Sequence, residues 1–160
     1  MLGRYLLQIC RNLLYDTSMS NPTDKLASAL KAHGQSLTKP RLTVFAALQQ
    51  EEPQTMQQLV DRCQGQIDRA SVYRTVTLFE QLGIVERLSI GWKYKLELSD
   101  TFQQHHHHLT CRQCGKTFSV AADEVIEERL HALADSQGFL IKKHQLEIQG
   151  VCGDCQSLAS

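Results

Sequence analysis

The chain has 160 residues, 42% of them apolar, and a formal net charge of zero, which suits one domain of ordinary size or two small ones with modest cores. Zero net charge excludes a protein that clings to nucleic acid by bulk electrostatics, although residues 19–98 carry ten Lys/Arg against eight Asp/Glu and residues 99–160 carry five against eight. No apolar stretch is long enough to span a bilayer, so no membrane partner is expected. Cys10 and Cys63 stand outside any pairing motif, which argues for a reducing, cytoplasmic setting.

The opening stretch MLGRYLLQICRNLLYD places Leu2, Leu6, Ile9 and Leu13 at helical spacing. Its apolar core is short, contains Gln8 and runs into Arg11, which does not fit a secretory signal. Residues 1–18 are expected to be an extension ahead of a native start at Met19, with an amphipathic helix as the alternative. Four short helices follow. The first is expected from Asp24 to His33 and ended by Gly34, with Leu26, Ala27, Ala29 and Leu30 apolar. Thr38 caps the second, which has Pro40 in its first turn and Val44, Phe45 and Leu48 facing inward. Thr55 opens the third with Gln58 as its capping-box partner and Leu59, Val60 and Cys63 buried. Asp68 opens the fourth, where Val72, Val76, Phe79 and Leu82 form one stripe and Gly83 closes the helix.

Next comes Ile84-Val85-Glu86-Arg87-Leu88, a turn around Gly91, and residues 93–98, together predicting a two-stranded ribbon. Short helices followed by a hairpin are the plan of a winged helix-turn-helix over residues 19–98, in which the last helix reads the major groove. Turning Val72 inward leaves Arg74, Thr77 and Gln81 outward with Tyr73 at the flank, groups that reach bases and phosphates. An ordinary solvated helix face has the same composition.

Residues 99–160 offer a helix from Ala122 to Gln137, with Ile126, Leu130 and Leu133 inward, and strands near Leu109 and at Leu140–Ile148. That is little core for an independent α/β unit. Two Cys-x-x-Cys pairs, Cys111/Cys114 and Cys152/Cys155, have the spacing of a tetrahedral zinc site, and a structural Zn²⁺ there would staple the unit together. The alternative is four ordinary buried cysteines. Just before the first pair lies Gln104-His105-His106-His107-His108. A purification tag would sit at a terminus. In an extended strand His105 and His107 point to one face and His106 and His108 to the other, so the run can serve two sites.

The segments LTKPRLTVFAAL, ASVYRTVTLFEQLGIV, QQHHHHLTCRQCGK, GFLIKKHQLEIQGVC and CGDC, in this order from about Asp24 to Cys155, resemble the ferric uptake regulator (Fur) family of metal-sensing bacterial repressors. The resemblance implies an α+β protein: an N-terminal winged helix and a small α/β dimerisation domain over residues 99–160. It implies a metal-loaded homodimer on double-stranded DNA carrying a palindromic operator. Tyr73 and Arg74 match the family's DNA-contacting pair, and Thr77, Arg69 and Lys31 complete the expected contact set. Ala32 stands where several relatives have a lysine. Iron and peroxide sensors of the family build a hinge site from five positions. This sequence supplies Glu97, His106 and His108 but has Pro53 and Ser119 at the other two. Zinc sensors take a carboxylate from the Gly-Ile-Val segment, here Glu86.

A regulatory set of Glu86, Glu97, His106 and His108 suits Zn²⁺, while its all-oxygen and nitrogen character also admits Fe²⁺ or Mn²⁺. His105, His107, Glu127 and His144 match a second family site, or else form a hydrogen-bonded cluster without metal. The expected protein is therefore a zinc-responsive repressor of metal-uptake genes, with an iron, manganese or peroxide sensor as the alternative. With the regulatory site empty, Glu86 and Glu97 are expected to repel and free the hinge. A zinc-dependent hydrolase is the rival of another class. It lacks a His-Glu-x-x-His helix and a spare general base, so no enzyme is expected.

Overall fold

The computed structural model describes residues 21–49, 52–90 and 93–158. The expected extension and the turn at Gly91 lie outside the described residues. Helix α1 spans Pro22–Ala32, α2 Lys39–Leu48, α3 Met56–Cys63 and α4 Arg69–Gln81. The first begins two residues before the expected Asp24, because Asn21 is the cap and its side chain accepts from the Thr23 N–H at 3.0 Å. Thr38 occupies the cap position of α2 but makes no side-chain cap bond. Thr55 and Gln58 form the reciprocal capping box of α3. Asp68 caps α4, accepting from the Ser71 N–H at 2.9 Å. Gly83 leaves the helix at φ 65°, a left-handed turn open to glycine without steric cost.

Strands β1 (Val85–Ile90) and β2 (Lys93–Leu98) form an antiparallel ribbon, with Glu86 opposite Glu97. Gln54 pairs its backbone with Leu96 on the ribbon's other edge. Helix α2 packs on α3, α4 and β2, and α4 packs on β1. Their inward faces make one core: Leu26, Leu30, Val44, Phe45, Leu48, Leu59, Val72, Val76, Phe79, Ile84 and Leu96 are each at most 2% exposed. Each such side chain contributes roughly 1.5–3 kcal/mol by leaving water. Phe102, just past the ribbon, closes this core edge-on against Phe45 at 5.3 Å.

The back half has its own three-stranded sheet in the order β4-β3-β5. Strand β3 (His106–Cys111) runs antiparallel to β4 (Thr117–Ala121) and parallel to β5 (Glu147–Gly150). Helix α5 (Glu124–Ser136) makes the crossover, and α6 (Gly153–Leu158) ends the described chain.

Here the structure corrects two expectations. Helix α5 is shorter than residues 122–137 because Asp123 is its cap, accepting from the Val125 and Ile126 N–H groups. Its apolar stripe is not inward: Leu133 is 65% exposed, Ile126 39%, and no α5 residue is buried. The expected strand 140–148 reduces to Glu147–Gly150, since Leu140 and Phe139 have no neighbouring strand and lie 69% and 65% exposed. Among the described residues past 100, Cys111 and Cys155 are the only buried hydrophobic side chains. No helix of the described residues is long and apolar enough to cross a membrane.

Candidate metal centre

The β3–β5 register sets Cys111 beside Gly150, and the Arg112 N–H donates to the Gly150 carbonyl at 2.8 Å. One Cys-x-x-Cys pair is thereby laid against the other. Gly115 turns the first pair back at φ 74°. Cys111, Cys114, Cys152 and Cys155 carry no disulfide, and their sulfurs lie within 4.8 Å of one another, with Cys114 Sγ and Cys152 Sγ 3.8 Å apart. Tetrahedral zinc with bonds of about 2.3 Å separates its sulfurs by about 3.8 Å. The backbone N–H groups of Cys114 and Cys152 pull the Cys111 thiol below its ordinary pKa. Burial first, then the neighbouring thiols, push Cys155 up. Several thiolates in this space need a cation, so the donor set fits a structural zinc.

The histidine run divides as a strand of period two requires. On the face toward the ribbon, a single oxygen, Glu97 Oε2, lies 3.0 Å from His108 Nε2 and 3.3 Å from His106 Nε2. Burial raises the Glu97 pKa, but the hydrogen bonds from His106 and His108 prevail and hold it at about 2. The same bond to Glu97 raises His106 against the opposing effect of burial. His106 Nδ1 donates to the Gln104 carbonyl at 2.9 Å, so in the neutral ring Nε2 carries the lone pair and faces Glu97. Two electron-rich atoms then face each other at 3.3 Å, an arrangement relieved by a second proton or by a cation. Glu97, His106 and His108 could therefore hold a metal. Glu86 lines the same hollow without joining that cluster, and its carboxylate is paired with Lys143. Each carboxylate of the opposed pair has its own partner: Lys143 for Glu86, and His106 and His108 for Glu97.

The opposite face collects His105, His107, Glu127 and His144. Glu127 Oε1 lies 2.9 Å from His107 Nε2, 3.3 Å from His144 Nε2 and 3.4 Å from His105 Nε2. Zinc bonds of about 2.0–2.1 Å set ligand atoms about 3.3 Å apart in a tetrahedron. Although the His107 Nε2 to Glu127 Oε1 distance is short, neither atom has a hydrogen bond of acceptable geometry. Both atoms are buried without a hydrogen-bond partner, a demand that a shared cation would meet. His105 Nδ1 lies 3.0 Å from Asp100 Oδ2, an orienting carboxylate that sequence reasoning missed. Asp100 stands on a turn with no motif around it, five residues before His105.

Arg69, Tyr73, Arg74 and Thr77 are all exposed on α4, and Lys31 is exposed at the end of α1. Arg69 lies over the Tyr73 ring, 5.5 Å from its centre, and donates to its hydroxyl at 3.2 Å. Arg74 reaches Ser71 Oγ at 3.1 Å. These contacts pre-arrange an outward cationic and aromatic face on the helix that the core grips through Val72, Val76 and Phe79. A second tie joins the halves: Lys95 Nζ on β2 donates to the Gly115 carbonyl at 3.2 Å and lies 3.0 Å from Thr117 Oγ1.

A helical half with a polar outward face is joined through histidine and carboxylate clusters to a sheet that gathers four cysteines, an arrangement fit to bind metal. A model of the Ferric uptake regulator family matches residues 32–149, and the chain belongs to that family. Over 133 residues it is 38% identical to the Ferric uptake regulation protein of Vibrio anguillarum, an alignment covering 79% of this chain and 87% of that one. The corresponding protein of Bordetella parapertussis is 33% identical over 135 residues, covering 81% and 95%. The crystal structure of the Vibrio cholerae ferric uptake regulator superposes with a TM-score of 0.66 at 33% identity, covering 78% of this chain and 98% of that one. The chain is thus a metal-responsive transcription regulator of a family whose members bind DNA and act as dimers.

Proposed function

We propose that the chain is a cytoplasmic repressor of metal-uptake genes that responds to zinc at the hinge cluster of Glu97, His106 and His108, with Glu86 as fourth ligand. Residues 19–98 form the winged helix and residues 99–160 the dimerisation domain, in which the four cysteines hold a structural Zn²⁺. His105, His107, Glu127 and His144 hold a second ion that ties α5 to β3.

The observation that carries this reading is the meeting of Glu97 on β2 with His106 and His108 on β3 at one carboxylate oxygen. The ligands come from both halves of the chain, so occupancy acts on the joint between them. A divalent cation bound there supplies the positive charge that both sets of donors share. Glu97 and the two imidazoles then fix the ribbon against the sheet. Fixing it in both subunits holds two α4 helices at the spacing of two half-sites of a palindromic operator, where Tyr73, Arg74, Thr77 and Arg69 meet bases and phosphates and Lys31 reaches the backbone. Metal and DNA binding are then reciprocally coupled.

A second reading, Fe²⁺ or Mn²⁺ as the sensed ion, is favoured by relatives named ferric uptake regulation proteins. The all-oxygen and nitrogen donor set accommodates either ion. The two readings separate in a titration of operator-type DNA binding by the dimer with its cysteines loaded, at buffered free Zn²⁺ and separately at buffered free Fe²⁺ or Mn²⁺. Tight binding induced by trace Zn²⁺ supports the zinc reading, and a response confined to Fe²⁺ or Mn²⁺ overturns it.

A further inference from the structure

The carboxylate of Glu86 has a partner that no motif announces. Lys143, in the connection between α5 and β5, reaches across to the ribbon and pairs with Glu86 Oε2. Glu86 sits directly opposite Glu97 in the ribbon register and shares the hollow lined by Glu97, His106 and His108. The ammonium therefore occupies the one carboxylate in that hollow that the histidines leave unclaimed.

Three features suit Lys143 to this role. Its side chain is 53% exposed, whereas that of Glu86 is 24% exposed, so the lysine can withdraw into water while the carboxylate stays at the rim of the hollow. Arg87, the cation next to Glu86 on the ribbon, is committed elsewhere: it pairs with Glu80 and stacks 4.4 Å from the centre of the Tyr94 ring. Lys143 also directly precedes His144, whose Nε2 lies 3.0 Å from His105 Nε2 in the opposite cluster. Its backbone thus lies beside the start of β3, whose His106 and His108 share the hollow with Glu86, and this tether gives the ammonium a high local concentration at Glu86.

We infer that Lys143 is a tethered competitor for the hinge metal: its ammonium and a divalent cation contend for the Glu86 carboxylate, and this contest sets the free-metal concentration at which the hinge closes. The inference rests on the hinge reading above and adds the element that tunes its threshold. Lysine suits the task better than arginine, because a flexible point charge yields its partner more readily than a planar bidentate fork.

The test is a Zn²⁺ titration of the full-length dimer with its cysteines loaded, followed by calorimetry against a competing chelator. The hinge event is the one lost in Glu97→Ala. Lys143→Met should tighten that event about two- to fivefold, the range expected for removing a partly exposed ion pair. Lys143→Arg should retain or weaken wild-type affinity, and Lys142→Met, which removes the same charge one residue away, should leave it unchanged. In a Glu86→Gln background, Lys143→Met should give no gain, since the contested carboxylate is gone.

No tightening in Lys143→Met, or an equal gain in Glu86→Gln, overturns the competition and leaves the hinge reading standing if Glu97→Ala still loses the event. Unaltered Zn²⁺ binding in Glu97→Ala removes both.

Discussion

The two halves of the chain are held together by different forces. The front half closes a continuous apolar core from four helices and a ribbon, with Phe45, Phe79, Leu26, Leu30, Leu59 and Leu96 each at most 1% exposed. The back half builds a sheet and a helix of similar length, yet among its described residues only two cysteines are buried hydrophobics, while Leu133, Phe139 and Leu140 face outward. What stands in place of a core there is three clusters of potential ligand atoms and a set of exposed apolar side chains. On the proposed reading, the half that meets DNA carries its own core, and the half that senses metal depends on what it binds. A sensor benefits from this division, because ligand binding can order one part without reshaping the recognition helix.

The largest effect should come from the cysteine cluster. Replacing Cys111 with Ser should unfold the back half and abolish the dimer, since structural zinc sites contribute on the order of 10 kcal/mol. Circular dichroism should retain most of the α1–α4 signal, and sedimentation should report a monomer. A variant that remains dimeric, with full back-half protection in hydrogen exchange, would break the contrast between the halves. Next in size, Phe79→Ala should destabilise the front half by about 3–5 kcal/mol. Its melting transition should fall while the zinc content of the cysteine site is unchanged.

A smaller effect is expected from Leu133→Asp on the exposed stripe of α5. It should weaken the dimer, measured by its dissociation with dilution, yet move the front-half transition by no more than about 0.5 kcal/mol, as surface substitutions do. An unaltered dimer would show that α5 faces solvent in the assembly. The smallest effect belongs to Lys95→Ala, which removes the bonds to Gly115 and Thr117. A loss of about 1 kcal/mol in the coupling between the halves is expected, read as faster exchange at the Gly115 turn with the core unaffected.

The contrast also explains what the sequence could show. Elements made by local chemistry were legible: the Thr55/Gln58 box opens α3, the Val72, Val76 and Phe79 stripe turns α4 inward, and Gly83 ends it. The alternation of His105/His107 against His106/His108 followed from strand period alone and holds in space. Elements whose form depends on a partner were not legible. The stripe Ile126, Leu130 and Leu133 has helical periodicity, but nothing in one chain says whether its cover is internal or another subunit. The apolar residues near Leu140 look like a strand, yet pairing needs a neighbour, which only Glu147–Gly150 finds. Asp100 beside His105 and Lys143 on Glu86 are polar contacts made by Asp100 and Lys143, residues outside any motif, and single residues of that kind carry no local signal.

The central claim is that a metal at the joint between the halves controls DNA binding through Glu97. Its most direct test compares operator-type DNA binding by the wild-type dimer and by Glu97→Ala at the same buffered free metal, with dimer content checked by sedimentation. The account predicts a folded, zinc-loaded dimer in Glu97→Ala whose DNA affinity no longer responds to metal. Undiminished metal-dependent DNA binding in that variant would contradict it.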